Sequence, residues 1–308
     1  MRGAILLFFC CAMSGAAAQG RTPVVLGTAT PGGGFPVFGA AFAEMVNAQE
    51  PALEVRPQNT KGSTENVPLL EAGKIDLGLV AGEVASATLA RPGATLRIVA
   101  AMYSSPGMFV VRADSPVRRI ADLKGKAVAL GTAGSGLTVL GRNVLESLGF
   151  DLARDIRAIT LEKAADGPPM VLEGRAAALW GAGVGWPGFS AVAQAGGRFI
   201  VPDADEVKRI LERQPQLKAM TIPAGSYPGQ DAPLHSVGSW SFVLARPGLP
   251  DETAYRLARA VHWAEAPLAA RLAQARETTL ANTVAAAPRA DLVHPGVLRY
   301  LREIGLPR

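Results

Sequence analysis

Gly27-Thr28-Ala29-Thr30-Pro31-Gly32-Gly33-Gly34-Phe35 follows the apolar run Val24-Val25-Leu26 and precedes a helical pattern over 36–48. A similar stretch, Gly131-Thr132-Ala133-Gly134-Ser135-Gly136, follows Ala127-Val128-Ala129-Leu130 and precedes a second helical pattern. Glycine lets a backbone approach a ligand closely, and the first turn of a helix presents amides that attract anions. Each segment therefore reads as half of an anion-binding cleft, and two halves predict two lobes.

Outward from the first turn, Leu53-Glu54-Val55-Arg56 and Ile75-Asp76-Leu77-Gly78-Leu79-Val80 read as strands around a helix over 64–72. Ser63 or Thr64 is positioned to cap that helix, Gly73 to stop it, and Leu69 and Leu70 to face the sheet. The βαβαβ order predicts a parallel sheet. A second βα series starts after Met108-Phe109-Val110-Val111-Arg112 and the Asp114-Ser115-Pro116 turn. In it, Leu137, Leu140, Val144, Leu145 and Leu148 form one helical face ending at Gly149. Strands at 156–161 and 176–180 flank a helix starting over 168–173. Ser239-Trp240-Ser241-Phe242-Val243-Leu244-Ala245 and a helix from Asp251 to Glu265 return the chain to the first unit. The expected organisation is lobe 1 over 22–113 and 237–308, with lobe 2 over 114–236.

The 308 residues, 49% of them hydrophobic, suffice for two compact units. Arg2, the apolar stretch from Ala4 to Met13 and Ser14-Gly15-Ala16-Ala17-Ala18 read as a secretory leader over 1–18 with an Ala-x-Ala cleavage site. Both cysteines, Cys10 and Cys11, fall within it, so the exported chain is expected to hold no disulfide, as suits a bacterial periplasm. The alternatives, a membrane anchor or lipidation at one of these cysteines, fit less well: the apolar run is shorter than the roughly 20 residues of a spanning helix, and bulky Phe9 precedes Cys10. Net charge is +5, or +4 once Arg2 is removed, without a long basic run, so nucleic acid is not an expected partner.

The ordered set of motifs resembles the TAXI family, the solute-binding proteins of tripartite ATP-independent periplasmic (TRAP) transporters. It comprises the first glycine turn, 60–66 with 69–76, Leu123-Lys124-Gly125-Lys126 before 131–136, the segment 221–231 and His294-Pro295-Gly296. The resemblance implies a type II periplasmic-binding-protein fold: two α/β lobes closing on one small solute, often a carboxylate or amino acid, for delivery to a TRAP-type permease. Three segments depart from the family pattern. Phe35 and Phe38 stand where tyrosines are common, Ala81-Gly82-Glu83 where a Gln-x-Asp pattern is, and Ala176-Ala177-Ala178-Leu179-Trp180-Gly181 where an acidic residue is.

The residues themselves indicate how a small carboxylate would be held. Backbone amides near Gly33 and Gly34 and at the helix starts Gly62-Ser63 and Gly134-Ser135-Gly136 are expected donors. Hydroxyls of Thr28, Ser63, Ser135 and Thr138 would orient the solute; tight turns and helix caps are the structural alternative for these residues. Asn66, one turn into its helix, is a candidate amide contact. Glu83, after a strand end, is a candidate partner for an ammonium group, and Phe35 and Trp186 are candidate apolar walls.

No catalytic residues, cofactor or metal are expected. Gly183-Val184-Gly185-Trp186-Pro187-Gly188 matches G-x-G-x-x-G, but Trp-Pro stands where a dinucleotide-binding helix would begin. Neither a P-loop nor a G-x-S-x-G elbow occurs, and His235, His262 and His294 are far apart. The alternatives to a transport receptor are a sensing subunit that docks to a signalling receptor and an enzyme on the same scaffold.

Overall fold

The computed structural model describes residues 20–306; the expected leader, with Cys10 and Cys11, lies outside the described residues. The chain begins β1 (Thr22–Gly27), α1 (Gly34–Gln49), β2 (Leu53–Gln58), α2 (Ser63–Glu71), β3 (Leu77–Val80), α3 (Gly82–Leu89) and the long β4 (Arg97–Val111). It continues through β5 (Ala127–Thr132), α4 (Gly136–Ser147), β6 (Arg157–Leu161), α5 (Gly167–Leu172), β7 (Ala178–Ala182), α6 (Pro187–Gln194), β8 (Arg198–Ile200), α7 (Ala204–Arg213) and β9 (Lys218–Ile222). The long β10 (Leu234–Ala245), α8 (Asp251–Arg271), α9 (Leu280–Ala286) and α10 (Pro295–Glu303) complete it.

The strands run in the order β2-β1-β3-β10-β4-β7-β5-β6, with β9 beside β10 and β8 beside β4. The sheet is mixed. β2, β1 and β3 are parallel, as are β6, β5 and β7, whereas β10 is antiparallel to both β3 and β4. The parallel order expected for the first three strands holds, and the returning segment adds an antiparallel strand beside them. β9 and β10, joined by a loop without a helix, pair antiparallel, and β10 runs on from there into the first half against β3 and β4.

Two strands serve both halves of this sheet. β4 pairs with β10 as far as Pro106 and with β7 from Gly107, while β10 pairs with β9 from Leu234 and with β4 from Gly238. The exchange occurs where side chains have no room: a Cβ on Gly238 would lie 2.2 Å from the Ser105 carbonyl oxygen, and one on Gly107 would lie 2.4 Å from the Trp180 ring. Just beyond, the β10–β4 register shifts between Trp240 and Phe242. Such an irregularity bends a strand and increases its twist.

Helices cover both faces of each half, which explains the near-continuous apolar strands. Leu26, Leu79, Phe38 and Phe42 pack with Leu257 and Val261 on one face of the first half, and Leu70, Leu89, Ile98 and Phe242 pack on the other. In the second half the alternation is residue by residue along β4. Met108 and Val110 join Leu179 and Phe189, whereas Phe109 and Val111 join Val128, Leu140 and Val144.

Candidate ligand-binding site

In each parallel block the strands point the same way, so the strand-to-helix turns gather at one edge, where open α/β sheets place their ligands. The N-caps of α1, α2, α3, α4 and α6 are Gly33, Gly62, Ala81, Ser135 and Trp186. All five line a single cavity of about 50 Å³ between the two halves. Four of them make no side-chain cap bond; only Ser135 caps its helix, its hydroxyl accepting from the Leu137 amide at 3.1 Å. Five positive helix ends converge on a cavity whose lining contains no charged side chain. A helix start attracts an anion by about 0.3–1 kcal/mol at an exposed position, and by more when partly buried.

Of the thirteen residues singled out from sequence, Gly33, Gly34, Phe35, Gly62, Ser63, Ser135, Gly136 and Trp186 line the cavity. The remaining five have other contacts. Thr28 is buried and donates its hydroxyl hydrogen bond to the Gln58 carbonyl at 3.0 Å. Thr138 donates to the Thr132 carbonyl at 2.7 Å, closing the turn that follows β5. The Gly134 carbonyl accepts from both the amide and the hydroxyl of Thr64, at 3.2 and 3.0 Å. Asn66 directs its amide nitrogen to the carbonyls of Gly27, Thr28 and Leu79, at 3.3, 2.8 and 2.8 Å, which ties α2 to the ends of β1 and β3. The Glu83 carboxylate accepts from the Ser239 hydroxyl at 2.5 Å, and burial pushes it above the ordinary carboxylate range.

The expected capping of α2 also changes. Gly62, at φ +112°, is its N-cap, and the Ser63 hydroxyl accepts from the Ala81 amide at 3.0 Å instead. A Cβ on Gly62 would come within 3.0 Å of the Gly134 carbonyl oxygen, so the glycine permits both the backbone conformation and the approach of the second turn.

Trp186 is held in place from two directions. The six-membered part of its ring packs on Gly181 and Gly188, where an added Cβ would meet it at 2.4 Å. Its Cδ1 faces Gly34, and the adjacent Nε1 is buried without a hydrogen-bond partner. The preceding loop is pinned by Tyr227, whose phenol accepts from the Gly185 amide at 2.8 Å and donates to the Gly183 carbonyl at 3.2 Å. Desolvation pushes this phenol up to about 12.

Tyr103, Ser105, Thr132 and Gln274 also line the cavity and were not singled out from sequence. Tyr103 and Ser105 lie on β4 in a stretch not recognised as a strand, and Gln274 enters from the turn after α8. Only pairing with β10 reveals that β4 begins at Arg97. Burial pushes the Tyr103 phenol above its usual value, keeping it neutral and able to donate.

The architecture defines an α/β protein with the fold of periplasmic solute-binding proteins, shared with the alkanesulfonate-binding protein SsuA from Xanthomonas axonopodis pv. citri bound to MOPS. That structure is 19% identical, and the match covers 92% of this chain and 85% of that one with a TM-score of 0.50. MatC from Rhodopseudomonas palustris with bound malate is 15% identical over 91% of this chain and 97% of its own, with a TM-score of 0.59. The periplasmic aliphatic sulphonate binding protein SsuA from Escherichia coli is 20% identical, over 91% and 83%, at 0.50. The chain belongs to the NMT1-like family, whose model matches residues 26–305.

Proposed function

We propose that this protein is an extracytoplasmic solute receptor without catalytic activity, capturing a small organic anion of the carboxylate or amino-acid type between two lobes. The carrying observation is the convergence of five helix N-caps on one cavity without a charged side chain. Such a site binds an anion by preorganised dipoles and hydrogen bonds. Lobe 1 is formed by 22–113 and 237–308 and lobe 2 by 114–236, with β4 and β10 as the connections about which they close. The leader over 1–18 delivers the chain to the periplasm. The order of the motifs at 27–35, 60–76, 123–136, 221–231 and 294–296 supports the TAXI assignment and a TRAP-type permease as the recipient.

A panel of carboxylates, sulfonates and amino acids tests the reading by ligand-dependent rise in melting temperature. At least one member raises Tm in the parent, and Ser135→Trp, which fills the cavity beside the α4 N-terminus, abolishes the rise. Binding unaffected by that substitution overturns the site assignment, and turnover of a bound solute overturns the receptor reading.

A further inference from the structure

We infer that the preferred solute is a compact monoanion of about four to six non-hydrogen atoms, one carboxylate or sulfonate head on a short apolar tail, with no ammonium group. This rests on the receptor reading above and narrows it against amino acids and dicarboxylates.

The first support is the inventory of donors and acceptors. Trp186, 4% exposed, holds its indole N–H unpaired at the pyrrole edge facing Gly34. The Ser63 and Ser135 hydroxyls already accept backbone amides, so each has its proton to give. With the helix starts, these groups favour an acceptor-only head. An ammonium group finds no carboxylate here: no aspartate or glutamate lines the cavity, and Glu83 is engaged by Ser239 behind it. A buried cation without a partner is disfavoured in proportion to the water it loses.

Size is the second support. An apolar cavity of about 150 Å³ accommodates benzene, so one of about 50 Å³ admits no more than about six non-hydrogen atoms. Phe35, Leu137, Leu161 and the two tryptophans Trp180 and Trp186 supply an apolar wall for a short tail. A second carboxylate on a longer chain would have to lie against that wall, where no basic side chain awaits it.

Lactate and alanine have equal heavy-atom counts and differ in hydroxyl against ammonium, which makes them the deciding pair. Calorimetry on the exported protein compares lactate, pyruvate, propionate and methanesulfonate with alanine, glutamate and malate. At least one of the first four binds with 100-fold or greater preference over alanine, glutamate and malate. Trp186→Phe, which removes the N–H and part of the ring packing on Gly181 and Gly188, weakens that ligand about tenfold, with binding compared at a temperature where the melting curve shows the variant folded. Preference for carboxylate over methanesulfonate, or the reverse, identifies the head group within the proposal. Equal or tighter binding of alanine, glutamate or malate overturns the inference while leaving a receptor in place. Absence of binding by every member of the wider panel overturns the receptor reading with it.

Discussion

Asn66 shows how one side chain can support a binding site without touching its cavity. Its amide nitrogen serves three carbonyls at the ends of β1 and β3, and a Cβ on Gly27 would meet its Oδ1 at 2.7 Å. Asn66→Ala leaves those buried carbonyls underbonded and is expected to lower stability by about 2–4 kcal/mol, measured by urea unfolding. The loss should appear without ligand, which separates it from an effect on binding. Glu83 gives a second residue-level prediction. Burial raises its pKa in the folded state, so folding retains the proton more strongly than the unfolded chain does. Stability therefore declines as pH rises from the ordinary carboxylate value of 4.5 through the raised folded value. His294 contributes the opposite slope. Its ring caps α10, accepting from the Gly296 amide at 3.2 Å, and burial lowers its pKa from 6.5, so its contribution is lost as pH falls below that value. The difference between the parent and Glu83→Gln isolates the carboxyl: the variant gains relative stability on going from pH 5 to pH 8, read as ΔTm, and parallel curves would refute this. Sequence spacing put Asn66 and Glu83 near the right edge of the sheet. Their inward hydrogen bonds were not legible, because the partners are carbonyls and a serine brought close only by strand order.

At the scale of elements, each glycine turn touches a segment of the opposite half. The N-terminus of α2 meets the turn before α4 where Thr64 donates twice to the Gly134 carbonyl, and Gly32 of the first turn lies against Ala165, where an added Cβ would come within 2.4 Å. Glycine at 134 is required by this approach, because a Cβ there would sit 2.6 Å from the Lys61 carbonyl oxygen. Gly134→Ala is therefore expected to weaken solute affinity roughly tenfold by obstructing the contact, with unliganded Tm little changed, in calorimetry beside a melting curve. Equal affinity in parent and variant would show that the contact makes no contribution to binding. The turns and helices were legible in sequence because glycine clusters and 3.6-residue periodicity are local signals. The helical face at Leu140, Val144 and Leu145 is indeed buried. The first two-thirds of β4 were not legible: Ile98 to Tyr103 is an unbroken buried run, which gives no alternation to read. Tyr103 and Ser105 were missed in the cavity lining for that reason. Gln274 was missed because its approach depends on how the turn after α8 packs back on the sheet.

Across the whole molecule, the backbone pairing among the described residues that joins the two halves of the sheet is confined to β4 and β10, and the exchange of partners at Pro106, Gly107 and Gly238 is where the proposed closure would concentrate its change in angle. The cavity lies beside this exchange, with Ser105 of β4 in its lining. Solute contacts with α1 to α3 on one side and α4 and α6 on the other would add to the Thr64–Gly134 contact. On the proposed receptor reading the free protein would lack that addition, and ligand would shift the population toward the closed arrangement by its differential affinity for the two states. Two measurements should move together on titration with a bound solute. Small-angle scattering should give a smaller radius of gyration at saturation. Stabilisation at one hundred times Kd amounts to about 2.7 kcal/mol, expected as a rise in Tm of roughly 4–5 °C for a chain of this size. Ser239→Pro, placed within the β10–β4 ladder, should shift the free-protein radius by disturbing the connection itself, and circular dichroism distinguishes this from unfolding. A rise in Tm at constant radius of gyration would mean that the solute enters a cleft already closed. The turns around Gly33 and Gly134 would then act as a rigid anion cradle, and recognition by a permease would have to depend on something other than the angle between the halves.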